Sequence, residues 1–115
     1  MKALVFVKLG GSLITDKRQR MTPRRLLMRR LAREMQAARQ AAPHLTILLG
    51  HGSGSFGHWE ANRYGTRQGV HTPEAWTGFA RVSAAVLQLN RLIVETFTRE
   101  GVPVLSLQPA ASVHT

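Results

Sequence analysis

Cysteine is absent from the 115 residues, which excludes disulfides and thiolate metal sites. Long hydrophobic runs are absent too: no stretch approaches the roughly 18 apolar residues that a membrane span needs. The apolar opening of residues 3–7, behind Lys2, stops at Lys8 and Gly10-Gly11, well short of a signal-peptide core. The expectation is a soluble, cytoplasmic protein with no membrane partner. Negative charge is also scarce, with 6 acidic residues against 16 lysines and arginines and a formal net charge of +10. Neither an internal repeat nor a low-complexity segment is present.

What the chain does have is the hydrophobic content of a folded protein, 43%, in a length that supports one domain with a modest core. Its basic excess is concentrated in residues 17–39, from Lys17 and Arg18 to Arg33 and Arg39, with Glu34 the acidic residue near the end. Two readings follow. Such a balance suits an anionic partner, nucleic acid included. It equally suits a solvated helix face whose charge is offset elsewhere in a larger protein.

The order of elements reads as strand, helix, strand, helix, strand. Residues 3–9 are a short apolar, β-branched run closed by two glycines. Thr22-Pro23 supplies an N-cap and first-turn proline for a helix with Leu27, Leu31, Met35, Ala38 and Ala42 on one face, ended by Pro43. Residues 45–49 form a second buried strand. A short helical piece is expected over residues 59–64, then a link through Gly65 and Gly69. Thr72-Pro73-Glu74 opens a second, mostly buried helix with Phe79, Val82, Val86, Leu89 and Ile93 as its apolar stripe. Gly101 is its C-cap, and residues 102–107 are expected as a third strand. This alternation predicts an α/β protein with a parallel sheet, and three strands alone leave an incomplete one.

Both glycine-rich loops follow directly on predicted strands, where parallel sheets bind their ligands. Glycines let backbone N–H groups converge on phosphate oxygens, because no Cβ blocks the approach. Gly10-Gly11 alone is also an ordinary turn. The run Gly50-His51-Gly52-Ser53-Gly54-Ser55-Phe56-Gly57-His58 is more informative, with glycines and small hydroxyls filling an anion nest. Gly52 to Gly57 has the glycine spacing of a Walker A loop, but His58 and Trp59 stand where that motif needs lysine and a hydroxyl. A P-loop enzyme is therefore disfavoured. A histidine at position 58 can instead donate to a phosphate. Lysine is rare, 3 against 13 arginines, yet Lys8 and Lys17 flank the first glycine loop. A compact ammonium suits charge on a transferring phosphoryl group.

The motif Lys8-Leu9-Gly10-Gly11-Ser12, with Thr15-Asp16-Lys17 behind it, resembles the opening of the amino acid kinase superfamily. With the second loop ending in Ser55-Phe56-Gly57-His58, and with Ser106-Leu107-Gln108-Pro109, it is similar to isopentenyl phosphate kinases. The resemblance implies a three-layer αβα fold of which residues 1–115 are the N-terminal, phosphate-acceptor lobe, without the C-terminal nucleotide-binding half. It implies ATP-dependent phosphorylation of isopentenyl phosphate with Mg2+, in an alternative mevalonate route of isoprenoid biosynthesis.

By that resemblance Lys8, Leu9, Gly10, Gly11, Ser12 and Ser53 lie along ATP. Lys8, Lys17 and His58 are the catalytic candidates. Gly52, Gly54, Gly57 and His58 contact the acceptor phosphate, and Val82, with Phe79 and Val86, walls the isoprenoid tail; plain core packing is the other reading of those three. No residue is assigned as a metal ligand. Ser53 departs from the family pattern, which commonly has glycine there. A homodimer of the full-length protein is implied as well, and little or no turnover is expected of these 115 residues alone. The rivals are a relative with another acceptor, a basic nucleic-acid-binding module, and a non-catalytic remnant.

Overall fold

In the computed structural model the described residues are 3–16, 18–57 and 72–107. Lys17, His58, the expected helical piece over 59–64, the link through Gly65 and Gly69, and Gln108-Pro109 lie outside them.

Strands β1 (Ala3–Leu9) and β2 (Leu45–His51) pair in parallel, with Ala3 opposite Leu45 and Leu9 opposite His51. Alternation along each strand sends Leu9 inward with Leu49, while Leu4, Phe6 and Leu48 point to the other face. A single turn, α1 (Gly11–Ile14), follows β1. The crossover to β2 is α2 (Arg25–Ala41), rich in Ala, Leu, Arg and Gln, all good helix formers. A 3-10 turn (Gly54–Phe56) follows β2, and α3 (Pro73–Arg99) runs for 27 residues.

The two long helices pack on one another over the inner face of the sheet. Met28 and Ala32 of α2 meet Ala85, Leu89, Ile93 and Phe97 of α3 in one core with Leu9, Ile14 and Phe56. Of the three layers expected, the described residues supply the sheet and one helical layer. The opposite sheet face is left apolar and open, with Leu4 70% and Phe6 63% exposed.

The cap of α3 matches expectation: Thr72 Oγ1 accepts from Ala75 N at 3.1 Å, and a proline occupies the first turn. So does its end. Gly101 takes φ +91°, its N–H donates to Thr98 O, and Val102 N donates to Phe97 O, a complete Schellman motif with Val102 buried.

Three expectations need correction. α2 opens at Arg25, not at Thr22-Pro23, because the backbone there is already engaged. Asp16 N donates to Thr22 O, Arg24 N donates to Ile14 O, and Pro23 bridges to Thr15. The buried face of α2 is also turned: Met28 and Ala32 are its buried residues, Leu31 and Met35 flank them, and Ala38 is exposed.

The second correction concerns α3, whose large apolar residues near the N-terminus stand in solvent although Gly78 is buried. Trp76 and Phe79 are 60% and 51% exposed, meeting each other edge-to-face at 6.0 Å. The third is the third strand. Residues 102–107 make no ladder. Val102 to Val104 flank a cavity of about 270 Å3 whose far wall is Leu45, Ile47 and Leu49 of β2. The segment approaches β2 without closing onto it, and Pro103 has no N–H to offer a ladder.

Candidate phosphate-binding site

The carboxyl ends of β1 and β2 bring the two glycine loops into direct backbone contact. A Cβ on Gly11 would lie 2.7 Å from Gly54 Cα, and one on Gly52 would lie 2.8 Å from Gly11 N. Gly54 has φ +50°, and a side chain there would run into Thr15 Oγ1 and Gly11 O. Glycine is thus required at 11 and 54, by contact and, at 54, by conformation. Gly10, by contrast, has open space around it.

Thr15 joins the loops. Fully buried, its hydroxyl donates to Gly11 O at 2.5 Å and accepts from Ser55 N at 3.0 Å. Ser55 in turn holds the segment beyond Asp16: its Oγ accepts from Thr22 N at 3.1 Å and its carbonyl from Met21 N at 3.0 Å. The residues on either side of position 17 are thereby tied to the second loop. Asp16 is bound by Arg18, whose hydrogen bonds to it hold its carboxyl below the usual carboxylate range.

The junction exposes donors. Leu13 N and Ile14 N both take Gly10 O, and among the described residues Gly11 N and Ser12 N have no acceptor. Phe56 N takes Ser53 O and Gly57 N takes Gly54 O, while Ser53 N and Gly54 N have no acceptor there either. Lys8 is exposed at the end of β1 and pairs in register with Gly50, at the foot of both loops. Unpartnered N–H groups gathered at strand ends are the chemistry that suits an anion.

Other nominated residues are placed as follows. Leu9 has its side chain in the core and its carbonyl on Gly52 N at 2.9 Å. Ser12 is exposed, and Ser53 is half-buried over Gly57, where a Cβ would lie 2.6 Å from the Ser53 Cβ. That same Cβ would be 3.4 Å from Val86 Cγ2, so the face of α3 bearing Val86 and half-buried Val82 borders the second loop. Phe79 continues this face into solvent.

Among the described residues no three His, Asp or Glu side chains come together as a metal site. The one aspartate of the chain is occupied by Arg18.

The sequence model of the amino acid kinase family matches residues 3–114. The chain belongs to the amino acid kinase family. It is 31% identical over 116 residues to the isopentenyl phosphate kinase of Methanothermobacter thermautotrophicus, covering 96% of this chain and 42% of that protein. To the isopentenyl phosphate kinase of Methanocaldococcus jannaschii it is 28% identical over 119 residues, covering 96% and 45%. A solved structure described as isopentenyl phosphate kinase superposes with a TM-score of 0.81 at 32% identity, over 95% of this chain and 45% of that one. The chain therefore spans less than half the length of these relatives.

For an amino acid kinase domain, the glycines were legible from sequence because two glycine runs follow two successive strands, although Gly10-Gly11 alone reads equally as a turn. Thr15 and Ser55 stood inside the recognised motifs, but their part in fastening the loops did not show. Asn90 of α3 escaped notice altogether. Its Nδ2 lies 3.1 Å from His51 Nε2, and its Oδ1 accepts from Ser106 Oγ at 2.7 Å. The available signal was a polar residue set between Leu89 and Ile93 on a buried helix face.

Proposed function

We propose that these 115 residues form the N-terminal, acceptor-side lobe of an isopentenyl phosphate kinase, which transfers the γ-phosphoryl group of ATP to isopentenyl phosphate. The observation that carries this reading is the pair of glycine loops in backbone contact, with unpartnered N–H groups at Gly11, Ser12, Ser53 and Gly54. The names of the relatives supply the acceptor.

Phosphoryl transfer asks the protein for positioning and charge neutralisation rather than covalent chemistry. Backbone N–H groups of the first loop, Gly10 to Ser12, cradle the ATP phosphates, with Ser53 beside them. Lys8 and Lys17 neutralise charge on the group in flight. Gly52, Gly54 and Gly57 face the acceptor phosphate, and His58 donates a hydrogen bond to it. Val82, Val86 and Phe79 line the path of the hydrocarbon tail. The residues at hand suit phosphate oxygens and not a bare cation, so Mg2+ would arrive held by the ATP phosphates, as that ion commonly is. The remainder of the nucleotide pocket, and a homodimer contact, would belong to the rest of the protein, working in the cytoplasm in a mevalonate-type route.

In the basic region Arg30 pairs with Glu34, Arg33 with Glu100 and Arg18 with Asp16, which offsets part of its charge. No helix among the described residues is long and apolar enough to cross a membrane.

Binding of isopentenyl phosphate, of the corresponding alcohol and of a carboxylate of equal length tests the acceptor. The phosphate should bind at least about tenfold tighter than either, since charge-assisted hydrogen bonds are the strong ones. Equal binding of all three would contradict a phosphate acceptor. In a coupled assay with ATP the 115 residues alone should turn over little or not at all; robust turnover would refute the need for a C-terminal half.

A further inference from the structure

The second glycine loop begins with a histidine to which the proposed reaction gives no part. His51 ends β2, half-buried, and its ring is held at both nitrogens. Nδ1 lies 2.9 Å from the Gly52 carbonyl oxygen, and Nε2 lies 3.1 Å from Asn90 Nδ2. A carbonyl can only accept, so the ring proton sits on Nδ1. Nε2 then accepts from the Asn90 amide, whose Oδ1 accepts from the Ser106 hydroxyl at 2.7 Å. Donation runs one way, from Ser106 to Asn90 to His51 to Gly52.

The consequence lies in the peptide after Gly52. Gly52 N–H is already engaged by Leu9 O at 2.9 Å, so its two flanking peptide planes are both held. In a planar trans peptide the N–H points opposite to the carbonyl. Holding the Gly52 carbonyl on the His51 ring therefore turns the Ser53 N–H to the other side. That N–H has no acceptor among the described residues.

We infer that His51 and Asn90 are positioning residues that aim the Ser53 N–H at a bound phosphate, an inference resting on the phosphate reading above. Asn90 supplies the tautomer. Without its amide the imidazole proton can move to Nε2, which leaves the Nδ1 lone pair facing the Gly52 oxygen. Two lone pairs repel, the peptide is released, and its carbonyl can turn toward the anion in place of the N–H.

Long-range 1H–15N spectra of histidine-labelled chain in mildly alkaline buffer read the tautomer directly. His51 should carry its proton on Nδ1, and Asn90→Ala should shift it to Nε2. Inorganic phosphate is then titrated while the Ser53 amide is followed. Asn90→Ala should weaken phosphate about five- to tenfold, the scale of one well-placed hydrogen bond, and Ser106→Ala should weaken it less.

A rescue separates aiming from mere stability. His51→Asn keeps a short amide able to donate to the Gly52 carbonyl and should retain most phosphate affinity, even with Asn90→Ala. His51→Gln reaches toward Asn90 instead and should not. An Nε2–H ring in the unaltered chain overturns the proposal whatever the variants do. So does unchanged phosphate affinity in Asn90→Ala once its tautomer has moved. The expected tautomer with no phosphate response at Ser53 in the unaltered chain overturns the phosphate reading, and the aiming role falls with it.

Discussion

The glycine-loop junction and the outer face of the sheet are built from the same two strands, yet they are finished very differently. At the junction the contacts are closed: Thr15 bonds both loops, Ser55 bonds the turn beyond Asp16, and glycines sit where no other residue fits. Across the outer face nothing is closed, and Leu4, Phe6 and Leu48 stand in solvent. The contrast separates two requirements. The shape of the loop junction is set by contacts within this chain. Burial of the sheet requires a layer that the described residues do not provide.

Substitutions at the junction should therefore be the most damaging. Gly11→Val forces a side chain into the Gly54 backbone and should cost more than about 3 kcal/mol, or prevent folding, as overpacking against backbone does. A normal urea midpoint for that variant would mean the loops are not in contact. Leu89→Ala empties a fully buried site between the helices and should cost about 2–5 kcal/mol by the same measurement.

Thr15→Val keeps the shape and the Thr15 N–H bond to the Gly11 carbonyl but leaves the Ser55 N–H unsatisfied, at about 1–3 kcal/mol. It should also broaden the amide signals of both loops together. Loss confined to one loop would break the claim that Thr15 fastens them.

How much of this was legible depends on the range of the interaction. Thr72-Pro73 and Gly101 announced the ends of α3 correctly because capping is decided within one turn. Thr22-Pro23 carried the same signal and failed, since Ser55 and Asp16 claim that backbone from elsewhere in the fold. Phe79 looked buried because helical periodicity marks an apolar face without saying what covers it. The strand expected over 102–107 failed for a related reason: apolar sequence predicts extension, and a ladder needs a partner within reach. At the site, Gly11, Gly52 and Gly54 stood out as phosphate-contact candidates, whereas their packing against one another depends on a contact across about 40 residues that no local pattern carries. Asn90 could not be found, because its meaning comes from His51, 39 residues away.

On the open face the expected effect is small. Phe6→Ser should change stability by no more than about 0.5–1 kcal/mol and should lower the tendency to associate, measured by light scattering. A loss as large as that at Leu89 would show that the face is covered after all.

The smallest effect belongs to Asp16→Asn. The Asp16 pKa is lowered by its hydrogen bonds to Arg18. A carboxyl whose folded pKa lies below its unfolded one contributes stability above the unfolded value and loses it as pH falls through the folded one. The variant should thus be slightly less stable than the parent at neutral pH. The two should converge below the depressed pKa of Asp16, and a gap that persists there would contradict the pairing with Arg18.

The central claim is that two loops from neighbouring strand ends form one phosphate site. It is tested most directly by titrating isopentenyl phosphate into uniformly 15N-labelled chain and following backbone amides. The account predicts saturable shifts at Gly11, Ser12, Ser53 and Gly54 on a single binding curve, with α2 unmoved. Shifts confined to the arginines of α2, or different curves for the two loops, would contradict it.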